Sequence, residues 1–363
     1  MTAARVLVAM SGGVDSSVAA ALAVDAGWDV TGVHLKLAST PPAEQVQGKG
    51  CCTLADADDA RRVADTLGIP FYVWDMAEAF ERAVVADFAA EYAAGRTPNP
   101  CARCNEQVKV VGLLARARAL GFDALATGHY ARVEGGRLFR AADPAKDQSY
   151  VLYMLGPAEL ARLRLPLGGL GKRQVRAIAA AKGLRTAAKP ESYDVCFVPD
   201  GDTAGWLERR LGRRPGTVVD RAGRVLGRHD GAYRFTVGQR RGLGLAEASP
   251  TPRYVLRVEP AARRVVVGDR AALAIRTVEL ERTSATAGGA LPPLTARVRL
   301  RAHGAETACR LVPLGGGRAR LLLDRPVDAV APGQAAVLYD GDLVLGGGTV
   351  AATGGHDPAG GRP

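Results

Sequence analysis

The 363-residue chain contains no run of 18 apolar residues, which excludes a membrane-crossing helix of ordinary length. Its start places Arg5 and a strand-like apolar run where a signal peptide would need an apolar core and a cleavage site, so a cytoplasmic location is expected. Cysteine is scarce. The six residues, at 51, 52, 101, 104, 196 and 309, are too few and too uneven for a disulfide framework, and in a reducing compartment they point to metal or thiol chemistry. Lysine is missing altogether from residues 205–275, which hold 15 arginines against 6 acidic residues. Residues 1–204 balance at 23 basic and 23 acidic and the remainder carries 10 against 8, so the net charge of +11 is concentrated in the middle of the chain. Arginine forks suit bidentate phosphate contacts, and a stretch this basic suits a nucleic acid; the competing reading is solvated surface charge for a good share of these arginines.

Against that background, one stretch stands out. Ala9-Met10-Ser11-Gly12-Gly13-Val14-Asp15-Ser16-Ser17 follows an apolar run and precedes an alanine-rich pattern of helical period, so it reads as strand, tight turn and helix start. Adjacent glycines let backbone N–H groups face inward, and a helix N-terminus favours an anion. No Gly-Lys-Ser/Thr ending is present, and the glycine spacing is wrong for a dinucleotide fingerprint, which excludes two common phosphate loops. The remaining pattern resembles the pyrophosphate loop of the N-type ATP pyrophosphatases, enzymes that split ATP between its α and β phosphates. Asp15 would repel a triphosphate unless it held Mg²⁺ or capped the helix. Leu35, at the end of the second strand, offers its backbone to ATP, and Gly128 lets the nucleotide approach closely.

Helices over 16–26, 55–67 and 78–92 alternate with strands over 6–10, 29–35, 71–75 and 124–130, which predicts a parallel sheet with ligands at the carboxyl ends of its strands. Residues 36–50 and 95–105 read as loops, the latter forced extended by Pro98 and Pro100. A hairpin turns at 134–137; helices are expected over 147–155 and 172–183. The class is α/β: a catalytic domain over 1–204, a small basic α/β or β module over 205–275, a C-terminal β-barrel over 276–353 and a disordered tail over 354–363.

The cysteines admit three readings. A zinc half-site at Cys101-x-x-Cys104 needs a second spaced pair, which adjacent Cys51 and Cys52 do not supply. An iron–sulfur cluster on Cys101, Cys104 and Cys196 is chemically feasible. Thiol exchange between Cys104 and Cys196, one carrying a persulfide and the other resolving it, is the third. Cys309, in an expected barrel strand, reads as core.

Taken together, SGGVDSS, GCC at 50–52, TPNPCARCN at 97–105, ATGHYAR at 126–132, KDQSYVLYML at 146–155, DVCFVPDG at 194–201 and FTVGQRRGLG at 235–244 resemble the tRNA-specific 2-thiouridylases over nearly the whole chain. The resemblance implies a PP-loop fold and adenylation of the C2 oxygen of the wobble uridine of tRNA by ATP, followed by sulfur transfer. It implies that residues 9–16 with Leu35 and Gly128 bind ATP, that Cys104 is the nucleophile and that Cys196 carries the persulfide. Asn99, Pro100 and Cys101 match positions that meet the target base; His129, Lys146, Asp147, Gln148, Arg299, Leu300 and Gln334 match tRNA-contacting ones. A sulfur donor protein, a cysteine desulfurase or relay protein, is implied as partner. Some relatives have aspartate where this chain has Cys101, so acid–base work by this residue would fall to a thiol. The rival readings are an adenylating pyrophosphatase of a small molecule, which has no use for the thiols or the basic module, and a tRNA-binding sulfur carrier, which has no use for the phosphate loop.

Overall fold

A computed structural model describes residues 3–37, 54–190, 195–198, 200–246 and 251–355. Most of the expected 36–50 loop, Cys51, Cys52, Asp194, Pro199 and the tail beyond Gly355 lie outside the described residues. Among the described residues no helix is long and apolar enough to cross a membrane.

The first sheet is parallel in the order β3-β2-β1-β4-β7, made of β1 (Arg5–Ala9), β2 (Asp29–Lys36), β3 (Phe71–Asp75), β4 (Ala124–Ala126) and β7 (Leu163–Arg164). β1 is central and fully covered because its residues feed two cores. Val6 and Val8 face a cluster with α1 (Val14–Asp25), α2 (Leu54–Leu67) and α6 (Lys172–Ala181), while Leu7 faces another. That second core also takes Phe80, Val84 and Val85 from α3 (77–93), whose turns at Glu81–Val85 widen to π geometry, and Val108, Leu113 and Leu114 from the helical run α5 (105–119).

The structure departs from expectation at three places, the first being the strand expected over 124–130, which ends at Ala126. The 95–105 segment is not a loop throughout: α4 (Pro100–Cys104) forms, with Pro100 at its first turn, where a missing N–H costs nothing. The expected helix over 147–155 is only a single 3₁₀ turn, Ser149–Val151. Tyr150, Leu152 and Leu155 are all buried, so the segment threads between two domains rather than presenting one apolar face.

The middle module is a four-stranded sheet, β10-β11-β8-β9, from β8 (Gly216–Val219), β9 (Val225–His229), β10 (Tyr254–Glu259) and β11 (Arg264–Gly268), with α7 (Thr203–Leu211) leading into it. At least eight of its arginines are engaged in ion pairs, among them Arg213 and Arg234 with Glu208 and Arg264 with Glu259. These belong to the solvated-surface reading; the others leave the basic character in place.

The C-terminal strands close into a six-stranded antiparallel barrel. β12 (Ala274–Ala285) pairs with β15 (Arg318–Asp328), next come β14 (Glu306–Gly315), β13 (Leu294–Arg299), β16 (Ala335–Asp340) and β17 (Leu343–Gly355), and β17 returns to β12. β17 also pairs with the hairpin β5 (Ala131–Glu134) and β6 (Arg137–Arg140) of the first domain, through Leu343 and Phe139. Ala335, Val337, Tyr339 and Val344 lie in the same core as Leu7 and Leu125. Barrel and parallel sheet are therefore packed together, not tethered.

Candidate active site

The loop after β1 and the segment after β4 leave neighbouring strands where the sheet order reverses, the crevice in which open parallel sheets bind ligands. Gly12 takes φ +79°, and a Cβ there would stand 2.3 Å from the Asp56 carbonyl, so only glycine lets the loop pack beside α2. The Ser11 N–H donates to Ser16 Oγ (3.1 Å) and the Ser17 hydroxyl to the Gly13 carbonyl (2.8 Å), folding the turn over the helix start. α1 begins at Val14 behind Gly13, which offers no side-chain cap, so first-turn N–H groups are left for an anion. Met10 and Val14 are core residues, only 1% and 4% exposed, and Leu35 is likewise buried; any contact with a nucleotide would come from their backbone. Gly128 lies against the loop. A Cβ there would lie 2.8 Å from the Asp15 carbonyl carbon and from the Ser16 nitrogen, so it is the loop itself that approaches closely.

Asp15 is engaged. Its two oxygens accept from Lys172 Nζ at 2.8 and 2.9 Å, and Oδ1 also accepts from the Tyr130 hydroxyl at 2.7 Å. An ammonium and a phenol around one carboxylate do not form a divalent-cation site. Among the described residues no group of three His, Cys, Asp or Glu side chains could hold a metal ion. The alternative cluster on Cys101, Cys104 and Cys196 therefore finds no fitting donor set, while Mg²⁺ at Asp15 would need phosphate oxygens of the nucleotide as its further ligands. A second lysine also reaches the loop. Lys189 Nζ donates to the Gly12 carbonyl (3.0 Å), Asp56 Oδ1 (2.7 Å) and Asp59 Oδ2 (2.7 Å). Burial opposes its charge, but Asp56 and Asp59 hold it above the usual lysine value. Sequence reasoning missed both lysines, since neither sits in a motif that marks it.

The thiols lie on the opposite face of the sheet. Asn99 Oδ1 accepts from the Ala102 N–H (3.1 Å) and caps α4, so its side chain is committed to holding the helix start. Cys101, in the first turn, is exposed, and Cys104, three residues on, is buried. Asn105 Nδ2 donates to the Val151 carbonyl (3.0 Å), tying the helix to the 146–155 segment. Cys196 is half-buried, and with Phe197 it packs against the cluster that contains Cys104. Phe197 is fixed edge-on against Phe88, with centroids 5.1 Å apart. The structure thus brings two cysteines from distant segments to one apolar cluster. Cys309 is separate: it is wholly buried in the barrel, and burial pushes its thiol up to about 12.

The residues matched to tRNA contacts divide. Lys146 is half-buried at the surface and Gln148 is exposed, though Gln148 Oε1 accepts from the Tyr130 N–H (2.9 Å). His129 is half-buried, with Nδ1 2.8 Å from Thr127 Oγ1; burial, with Lys109 adding, lowers it to about 4. Asp147 is no surface contact: its side chain is 3% exposed, accepts from the Ala141 and Ser149 N–H groups and meets Arg299 at 3.3 Å. Arg299 and Arg140 both pair with Glu306, and Arg140 lies 3.6 Å over the Tyr339 ring. Leu300 is 4% exposed in the barrel core. Gln334 Nε2 donates to the Thr97 carbonyl (2.7 Å). Asp147, Arg299 and Leu300 hold the barrel and its seam with the first domain.

Residues 4–200 match the family model described as tRNA methyl transferase HUP domain, 204–269 its PRC-barrel domain, and 277–350 the aminomethyltransferase beta-barrel domain. The tRNA-specific 2-thiouridylase MnmA of Thermobifida fusca is 57% identical over 352 residues, 96% of each chain. That of Acidothermus cellulolyticus is 56% identical over 355 residues, covering 96% of this chain and 98% of the relative. Among solved structures, a 4-thiouridine synthetase in complex with RNA and ATP aligns with TM-score 0.37 at 16% identity, over 57% of this chain and 50% of that one, too distant to bear on the site. Identity above one half over 96% of its length makes this chain a member of the tRNA-specific 2-thiouridylase family.

Proposed function

We propose that this protein replaces the C2 oxygen of the wobble uridine of tRNA by sulfur, with ATP as activating substrate. The observation that carries the reading is the pairing, in one domain, of an anion-ready loop after β1 with Cys104 and Cys196 at one apolar cluster. The C2 oxygen of uracil is a poor leaving group, and transfer of AMP onto it makes it a good one. The loop's N–H groups with Lys172 and Lys189 stabilise the departing pyrophosphate. A persulfide on Cys196 supplies the sulfur, delivered either by direct attack on C2 or as sulfide when Cys104 attacks Cys196. In the first order the persulfide expels AMP and Cys104 then attacks Cys196 Sγ, releasing the thiolated base; in the second the freed sulfide expels AMP; both end in a Cys104–Cys196 disulfide, which an external reductant reopens. A sulfur donor protein must recharge Cys196. The uridine enters unpaired, as an anticodon-loop base can, and the arginines of the middle module supply phosphate contacts.

Methyl transfer, the activity in the matched model's description, gives the phosphate loop nothing to do. The test is ATP turnover with and without unmodified tRNA. Release of AMP and pyrophosphate only with tRNA is expected. Release without tRNA would indicate a small-molecule adenylating enzyme, and no release a sulfur carrier. Cys196→Ser is expected to retain tRNA binding and adenylation and to lose thiolation; wild-type thiolation by that variant with a donor protein would remove Cys196 from the pathway.

A further inference from the structure

Loops of three domains meet at Thr97. Its N–H donates to the Pro332 carbonyl (2.7 Å) and its carbonyl accepts from Gln334 Nε2 (2.7 Å), so both backbone polar groups of this one residue are held by the barrel. Its hydroxyl lies 3.2 Å from Thr236 Oγ1 of the middle module. Between the two barrel contacts, Gly333 takes φ +92°, and a Cβ there would stand 2.9 Å from the Thr97 nitrogen and carbonyl carbon. No other residue permits that approach. The neighbours repeat the pattern: Arg96 pairs with Glu91 of α3 and Glu281 of β12, and a Cβ on Gly95 would meet Pro260 at 2.9 Å.

The segment from Thr97 into α4 is stiff. Pro98 and Pro100 fix their own φ, and Asn99 is bound by its cap to Ala102. A displacement at Thr97 therefore passes into the helix that carries Cys101 and Cys104 with no soft joint to absorb it.

We propose that Gln334 is a positioning residue: through Thr97 it sets the placement of the thiol helix, and the barrel is thereby part of the thiol site. The kinetic arm of this inference rests on the proposed thiolation; the structural arm does not. Gln334→Met keeps the length of the side chain and removes the amide, and Gly333→Ala pushes on Thr97 directly. In the full-length protein without tRNA, the rate of Cys101 alkylation by iodoacetamide, read by peptide mass, is expected to change severalfold in both variants, with the same thermal transition in Gln334→Met as in wild type. With tRNA, kcat for thiolation is expected to fall by about tenfold or more while the tRNA dissociation constant stays within about twofold, the split expected of misplaced reacting groups. Unchanged alkylation together with weakened tRNA binding would overturn the inference and return Gln334 to an RNA contact. Altered alkylation in a protein whose wild type shows no thiolation would uphold the clamp and fault the reaction instead.

Discussion

Replacing Asp147 by alanine separates a structural role from an RNA contact, and its size can be worked out. The carboxylate, 3% exposed, accepts four hydrogen bonds, from the Ala141 N–H, the Ser149 N–H and the Ser149 hydroxyl, each at 3.1 Å, and from the Arg299 guanidinium. It also lies 3.3 Å from Arg299 and 3.9 Å from Arg140. Removing one partner of a buried charge cluster costs about 3–5 kcal/mol, and each buried donor left without an acceptor about 1–3 kcal/mol. Glu306 tempers the loss, since it stays 2.7 Å from Arg140 and 2.9 Å from Arg299 and keeps both guanidiniums compensated. The total for Asp147→Ala is therefore about 3–5 kcal/mol, and Asp147→Asn, which retains an acceptor, should lose roughly half of that. For a chain of several domains the readout is a shift in the thermal transition, here roughly 6–20 °C for alanine, followed by near-UV circular dichroism. Below the transition, tRNA affinity should be unchanged. A transition within about 2 °C of wild type, with tRNA binding weakened tenfold, would refute the reasoning.

Lys172→Met and Lys189→Met should each raise the ATP dissociation constant by about tenfold or more, because each removes a charge-assisted contact at the loop and leaves carboxylates facing the polyphosphate; equilibrium binding of ATP checks this, and unchanged affinity in both variants would take the lysines out of the site. His129 gives a pH dependence. Its folded value of about 4 lies below the ordinary histidine value of 6.5, so the unfolded chain binds the extra proton. Its share of stability is fully present above about 6.5 and is lost as the pH falls toward 4, by at most about 3 kcal/mol. The gap in thermal transition between wild type and His129→Gln should therefore close over that window; parallel curves would contradict the burial of a neutral imidazole.

Local signals made the first domain legible and tertiary ones hid the rest. Val6, Leu7 and Val8 followed by paired glycines announce strand and turn from nearest neighbours alone, and the structure forms the strand within a residue of expectation and starts the helix two residues early, at Val14. The segment 147–155 misleads because its apolar residues are buried on all sides at a domain seam, where Asp147 bonds to Ser149 instead of continuing a helix. β17 is obscured for another reason. Gly346, Gly347 and Gly348 are of a residue type depleted in strands, yet this strand closes the barrel. A Cβ at Gly346 would lie 2.1 Å from the Ser284 carbonyl, and at Gly347 2.3 Å from the Ala336 carbonyl, so glycine is what lets β17 fit between β12 and β16.

The phosphate loop shows the same division within the site itself. Its backbone could be read from Ser11 to Ser17, but its charge could not. Asp15, Asp56 and Asp59 surround the loop, and three carboxylates alone would repel a polyphosphate. Lys172 comes from the start of α6 and Lys189 from beyond its end, and each spans more than a hundred residues of sequence to reach a partner that no spacing rule connects to it. The carboxylates hold the two ammonium groups at the rim of the loop before any nucleotide arrives, so the cations are in place at no cost in side-chain ordering when it binds. An aspartate that looks, in sequence, like a metal ligand thus acts as the anchor of a lysine, and the motif shows only half of a site whose other half is assembled by the fold.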